Sequence, residues 1–182
     1  MAQQSPLFSV VARTNLASVA GKPTKECFTS QRYGHRDDNL TSWFPENQPG
    51  TGASTITALA PTRGAAFVEW AAEILGVNAN TENVTLGNLL KREGYTMTFP
   101  QIEEMVDAAE REIQTGMDVG RGSFFFSETG DRLSPVSMCR VYRNGRDWYA
   151  HAFRLNLVFI WNVDSRLFVP DLRLEGVAAL EL

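Results

Sequence analysis

In the run from Val136 to Phe153, VSMCRVYR and RDWYAHAF flank an Asn144-Gly145 pair, and together they hold most of the side chains able to do chemistry. The imidazole of His151 titrates near neutral pH and can serve as a general base, while the guanidinium of Arg140 can hold an anionic group. Tyr142 and Tyr149, with Trp161 farther on, add aromatic surface of the kind that lines a small-molecule site. Arg140, Tyr142, Tyr149, His151 and Trp161 are therefore the candidate ligand-binding set. Cys139 and His151 also raise a thiol–imidazole nucleophile.

Hairpin geometry sorts these residues. An Asn-Gly pair suits the positive φ angles of a two-residue type I′ turn. That turn predicts Tyr142 opposite Asp147, Arg140 opposite Tyr149, and Met138 opposite His151. One face then carries Val136, Met138, Arg140, Tyr142, Tyr149, His151, Phe153 and Leu155. The other carries Ser137, Cys139, Val141, Trp148, Ala150, Ala152 and Arg154. The first face has more large apolar groups and reads as the core face, with Arg140, Tyr149 and His151 as its polar exceptions. Cys139 and His151 point to opposite faces, which argues against the dyad. The second face, with small residues around Trp148, suits packing against another protein layer. Trp148 and Arg154, with Trp43 and Phe44 from an earlier loop, form a candidate interaction set.

Other clusters read as ordinary surface. His35, Asp37 and Asp38 lie in GHRDDN without a second histidine or a recognised ligand spacing, so a polar turn is expected and no metal is assigned. Glu103-Glu104 and Glu110/Glu112 lie opposite an apolar helix stripe and read as its solvated side. GMDVGRGS lacks the Lys-Ser or Lys-Thr of a phosphate loop. Nothing in the chain signals a cofactor, and none is assigned.

Composition sets the frame. The chain has 182 residues, 43% of them hydrophobic and 21% charged, which suits one globular core. No run approaches the roughly 18 apolar residues of a membrane span. The N-terminus lacks the basic opening of a signal peptide, so a cytoplasmic location is expected and the Asn39 and Asn83 glycosylation patterns carry no weight. Cys27 and Cys139 are too few for a disulfide scaffold and read as free thiols. Between residues 66 and 118 stand ten acids and three bases, a net of −7. From 119 to 174 eight arginines face five acids, a net of +3. The two charged layers face solvent on opposite sides or pair between subunits head to tail. The overall charge of −4, and the acidity of the helix QIEEMVDAAEREIQ, argue against nucleic acid as a partner.

Residues 1–60 read as an irregular region with a short strand near Leu7 to Ala12, packed on the same domain. The Thr29 to Ser54 stretch is crowded with turn formers, and Trp43-Phe44 looks like its anchor. Residues 61–182 read as an α+β core, with helices in 61–116 and antiparallel strands in 122–175. The first helix follows Pro61 with Phe67, Trp70, Ala71, Ile74 and Leu75 at helical spacing. The second is capped by Thr85 and stopped by Gly94. The third opens on a Thr98–Gln101 capping box with Pro100 in its first turn, and runs to Gly116. Strands are expected at 123–128, 134–142, 147–161 with a bend near Asn156, and 166–174, the last placed at an edge by Pro170.

The predicted architecture is thus three helices on one face of a curved, four-stranded antiparallel meander. Two functions fit this reading. One is a noncatalytic binding or protein-interaction domain that self-associates as a homo-oligomer. The alternative is a small-molecule-binding protein or enzyme with a sheet–helix pocket around His151 and Arg140.

Overall fold

Strand alternation after Ser123 and helical spacing after Pro61 both translate into structure, but around a larger sheet than the sequence predicts. A computed structural model describes residues 6–117, 122–155 and 164–171. Its elements, in chain order, are β1 (Phe8–Leu16), β2 (Lys22–Pro23), β3 (Tyr33–Arg36), α1 (Asn39–Ser42), β4 (Asn47–Gln48), β5 (Ser54–Pro61), α2 (Ala66–Glu73), α3 (Asn83–Arg92), α4 (Phe99–Glu110), β6 (Ser123–Glu128), β7 (Val136–Asn144), β8 (Asp147–Arg154) and β9 (Arg166–Pro170).

The expected four-stranded antiparallel meander is replaced by a mixed seven-stranded sheet, ordered β1-β5-β9-β6-β7-β8-β3. Most neighbours are antiparallel, but β3 runs parallel to β8 and β6 parallel to β9. Three of the seven strands come from the first 61 residues, so the N-terminal region is not irregular: it supplies both edges of the sheet. Strand β9 lies inside the sheet, between β5 and β6, rather than at an edge. Pro170 is its last residue, and Asp171 N beyond it still donates to Thr55 O of β5. Asn156 and the 157–161 run lie outside the described residues.

Helices stand on both faces, not one. Phe8, Leu59, Leu167, Val169, Phe126, Val136 and Met138 pack with α2 and α3 through Phe67, Trp70, Leu86 and Leu90. The alternate residues Ile56, Ala58, Phe168, Phe125, Cys139, Val141 and Ala150 pack with α4 and the segment from Cys27 to Phe44. Period-two alternation places one apolar set on each side, so the sheet is sandwiched. Among the described residues there are four helices, α1 being a single turn within the segment read as loop.

Local signals worked best where they are strongest. The α4 capping box is formed, with Thr98 Oγ1 accepting from Gln101 N and Gln101 Oε1 accepting from Thr98 N. Helix α3 begins earlier than Thr85 suggests, and Gly94 follows its end at φ +77. Among the described residues, no helix is long and apolar enough to cross a membrane.

The acidic face of α4 is not simply solvated. Glu103 is 8% exposed; its Oε1 accepts from the backbone N of Phe28 at 2.8 Å, and its Oε2 pairs with Lys22. Asp107 pairs with Arg32, and Glu110 accepts from Trp148 Nε1. Phe99 N donates to Gln48 Oε1. The helix carboxylates therefore clasp the N-terminal segment from which β3 emerges.

Candidate functional site

The hairpin turn falls one position later than Asn144-Gly145. Asn144 pairs with Asp147, leaving Gly145 and Arg146 as the central residues. Gly145 has φ +64, whereas Arg146 is not among the residues of positive φ. That pattern matches a type II′ turn, which demands positive φ only at its first central position. Every partner consequently slides by two: Tyr142 faces Tyr149, Arg140 faces His151, and Met138 faces Phe153. A slip of two preserves parity, so both predicted faces keep their members.

What changes is the extent of burial: the first face is buried only at its Val136, Met138 and Leu155 end, whereas the second is buried along most of its length. Trp148 is 1% exposed, and Cys139, Val141, Ala150 and Ala152 are buried beneath α4 and the N-terminal segment. Arg140, Tyr142, Tyr149, His151 and Phe153 are only partly buried. Of the candidate interaction set, Trp148 and Phe44 are thus core residues. Trp43 is half-buried, with the Arg154 guanidinium 4.0 Å above its ring centroid.

The partly exposed side chains make a continuous strip across β7, β8 and β3. The Tyr142 and Tyr149 rings are 5.4 Å apart, and Tyr142 and His151 5.7 Å apart and within 8° of parallel. Strand β3 adds His35, which the sequence placed in a polar turn. Its ring lies 4.8 Å from His151 and 6.1 Å from Tyr149. Phe153 extends the row from His151. The Arg140 guanidinium sits 4.4 Å over Tyr142 and 5.9 Å from Phe124, which is cation–π range. Four of the five ligand-set residues are brought together here; Trp161 lies outside the described residues.

The strip's electrostatics favour an anion. Among the described residues Arg140 has no carboxylate partner, and its Nε is buried without a hydrogen bond. Arg36 donates to the carbonyls of Cys27 and Thr24, whereas Arg143, whose Nε is likewise buried without a hydrogen bond, has Glu110 at 3.9 Å. Burial, then the neighbouring His35, then Arg140 hold the His151 imidazole below its ordinary value, against an opposing pull from Asp37. His151 is accordingly neutral at pH 7 and can accept a proton.

The geometry does not assemble a nucleophile. Cys139 lies on the other face, fully buried, and its thiol is pushed up by that burial. Asp37 could orient an imidazole, yet it accepts from the backbone N–H groups of Asn39 and Ala152. Tyr142 Oη stands 3.5 Å from His151 Nε2, the outer limit of a hydrogen bond. Among the described residues, no three His, Cys, Asp or Glu side chains gather to hold a metal.

A second concavity, a cleft of about 480 Å³, lies between the β4 segment and the start of α4, lined by Gln48, Pro49, Thr51, Met97, Thr98 and Glu128. The Gln48, Thr98 and Gln101 groups bordering it are engaged in capping hydrogen bonds. Glu128, its charged lining residue, is paired with Lys91. His35 and the α4 clasp are the residues that sequence reasoning missed, because each contact joins chain segments far apart. No known protein family, curated protein or solved structure matches the chain.

Proposed function

We propose that this protein is a noncatalytic binding domain whose binding surface is the strip Arg140, Tyr142, Tyr149, His151 and His35, and that it takes a small planar molecule carrying negative charge. The observation that carries this reading is the Arg140 guanidinium, without a carboxylate partner among the described residues, set among half-exposed, near-parallel rings. Ring faces and edges give a planar ligand area at low entropic cost, and the guanidinium gives it orientation. A reducing compartment such as the cytoplasm suits the two buried, unpaired cysteines.

Catalysis by His151 has less support, because no described carboxylate orients its ring. Self-association is also less favoured. The β1 edge is interrupted by a bulge between Val10 and Ala12, and the β3 edge is four residues long; both features blunt strand addition.

The test is thermal melting with benzoate, naphthalene-2-sulfonate and adenosine monophosphate as probes, on the parent and on Arg140→Gln and Tyr149→Ala. A probe at about a hundred times its Kd adds roughly 2.7 kcal/mol. For a chain of this size that raises Tm by about 5–10 °C. Loss of the shift in both variants supports the reading. Equal shifts in parent and variants, or no shift with any probe, would refute it.

A further inference from the structure

We propose that the strip binds its anionic ligand together with a proton, which is held by the imidazole pair His35 and His151. The proposal rests on the strip being the binding site. The two histidines are the only ones in the chain, and they come from strands of distant sequence origin to lie ring against ring at 4.8 Å. Arg140 is the direct cross-strand neighbour of His151. Placing a further positive charge beside Arg140 in so small a space is unfavourable, so the free site at neutral pH resists protonation of His151.

The groups around the pair set the balance. From β7 come Arg140 and Tyr142; from β8, Tyr149 and Phe153; and Asp147 lies at the margin, against Gly34. After β3, Asp37 is the acidic group acting on His151, but its oxygens are engaged by backbone N–H donors. Its charge favours protonation without forming an imidazole–carboxylate pair. Burial, then His35, then Arg140 hold His151 below its ordinary value. An anion seated against Arg140 cancels the repulsion and adds an acceptor for an imidazole N–H. One proton from solvent then moves onto the pair, and the bound state is better compensated than the free one. By linkage, the ligand raises the pair's proton affinity and the proton raises the ligand's affinity by the same factor.

The test is titration calorimetry of the full chain with naphthalene-2-sulfonate, which stays anionic throughout, and with its neutral isostere naphthalene-2-sulfonamide, from pH 8 to pH 5.5. Each pH is measured in two buffers of different ionisation enthalpy. Sulfonate affinity should rise as pH falls, approaching about tenfold per pH unit, with uptake of about one proton. The sulfonamide should bind more weakly and show no slope, and His35→Gln should flatten the sulfonate slope. If sulfonate binds without a pH slope, and Tyr149→Ala abolishes that binding, the strip stands as the site and proton coupling is refuted. Sulfonamide binding as tight as sulfonate refutes the charge argument. Absence of sulfonate binding, or binding indifferent to Tyr149→Ala, overturns the strip itself and the inference with it. The parent's pH slope needs no variant, so a misfolded substitution cannot mask the proton coupling.

Discussion

Replacing Glu103 by alanine should destabilise the protein far more than replacing it by glutamine. The carboxylate sits 8% exposed on α4 and does two jobs: Oε1 accepts from Phe28 N, and Oε2 pairs with Lys22. Alanine leaves the Phe28 N–H as a buried donor without a partner, at a cost of about 1–3 kcal/mol. The freed Lys22 side chain is about one-third exposed and can hydrate, so the ion pair adds no more than about 1 kcal/mol. Phe28 also sits at φ 57 with its ring fully buried, a conformation that an aromatic residue keeps only when its surroundings hold it. The total is about 1–4 kcal/mol, or roughly 2–16 °C in Tm for a chain of this length. Glutamine keeps an oxygen for Phe28 N and loses only the ion pair, so its cost should stay near 1 kcal/mol or below. Urea unfolding followed by tryptophan fluorescence reads both variants on one scale. A Glu103→Ala loss under about 0.5 kcal/mol, or a glutamine variant as damaged as alanine, would refute the clasp.

Three further outcomes follow. His151 has a folded pKa held below its unfolded value of 6.5, so the native state takes up fewer protons than the unfolded one. The stability this contributes is present above pH 6.5 and is lost as pH falls through the folded pKa, so His151→Gln should lose less stability than the parent from pH 7 to 5 in denaturant titrations. Cys27 is buried, with its thiol pushed up to about 12, and Cys139 is buried too; iodoacetamide at pH 8 should label neither until denaturant is added, as whole-protein mass spectrometry would show. Gly145→Ala forces a side chain into φ +64 and should cost about 1 kcal/mol in thermal or urea unfolding, although the space beside Gly145 is open.

Much of what the sequence made legible was local. The Thr98–Gln101 box needs four consecutive residues, and it formed as read. The faces of the hairpin were legible because any even slip leaves them intact, even though the turn moved from Asn144-Gly145 to Gly145-Arg146. The sheet was not legible, because its parallel pairs β3–β8 and β6–β9 join segments whose partners leave no mark in the local pattern. Strand β5 hid in the apparent loop region because Ser54–Pro61 mixes small and polar residues with only a few bulky apolar ones. Burial of Trp148 rather than Tyr149 ran against the comparison of side-chain size on the two faces. What decided it was α4 together with the Cys27 to Phe44 segment, whose hold on each other depends on Glu103 meeting a backbone N–H 75 positions away. Arg140, Tyr142, Tyr149 and His151 were found as a group; His35 reached them only through the parallel pairing of β3.

The most direct measurement is the NMR titration of the two histidine Cε1–H signals with naphthalene-2-sulfonate at pH 7. With only two histidines in the chain, one substitution assigns both signals. Both resonances should move together and saturate, in the direction of imidazole protonation, and Arg140→Gln should abolish the movement. Two histidine signals that stay in place while the probe binds, or that ignore it at every concentration, would contradict a binding site on this strip.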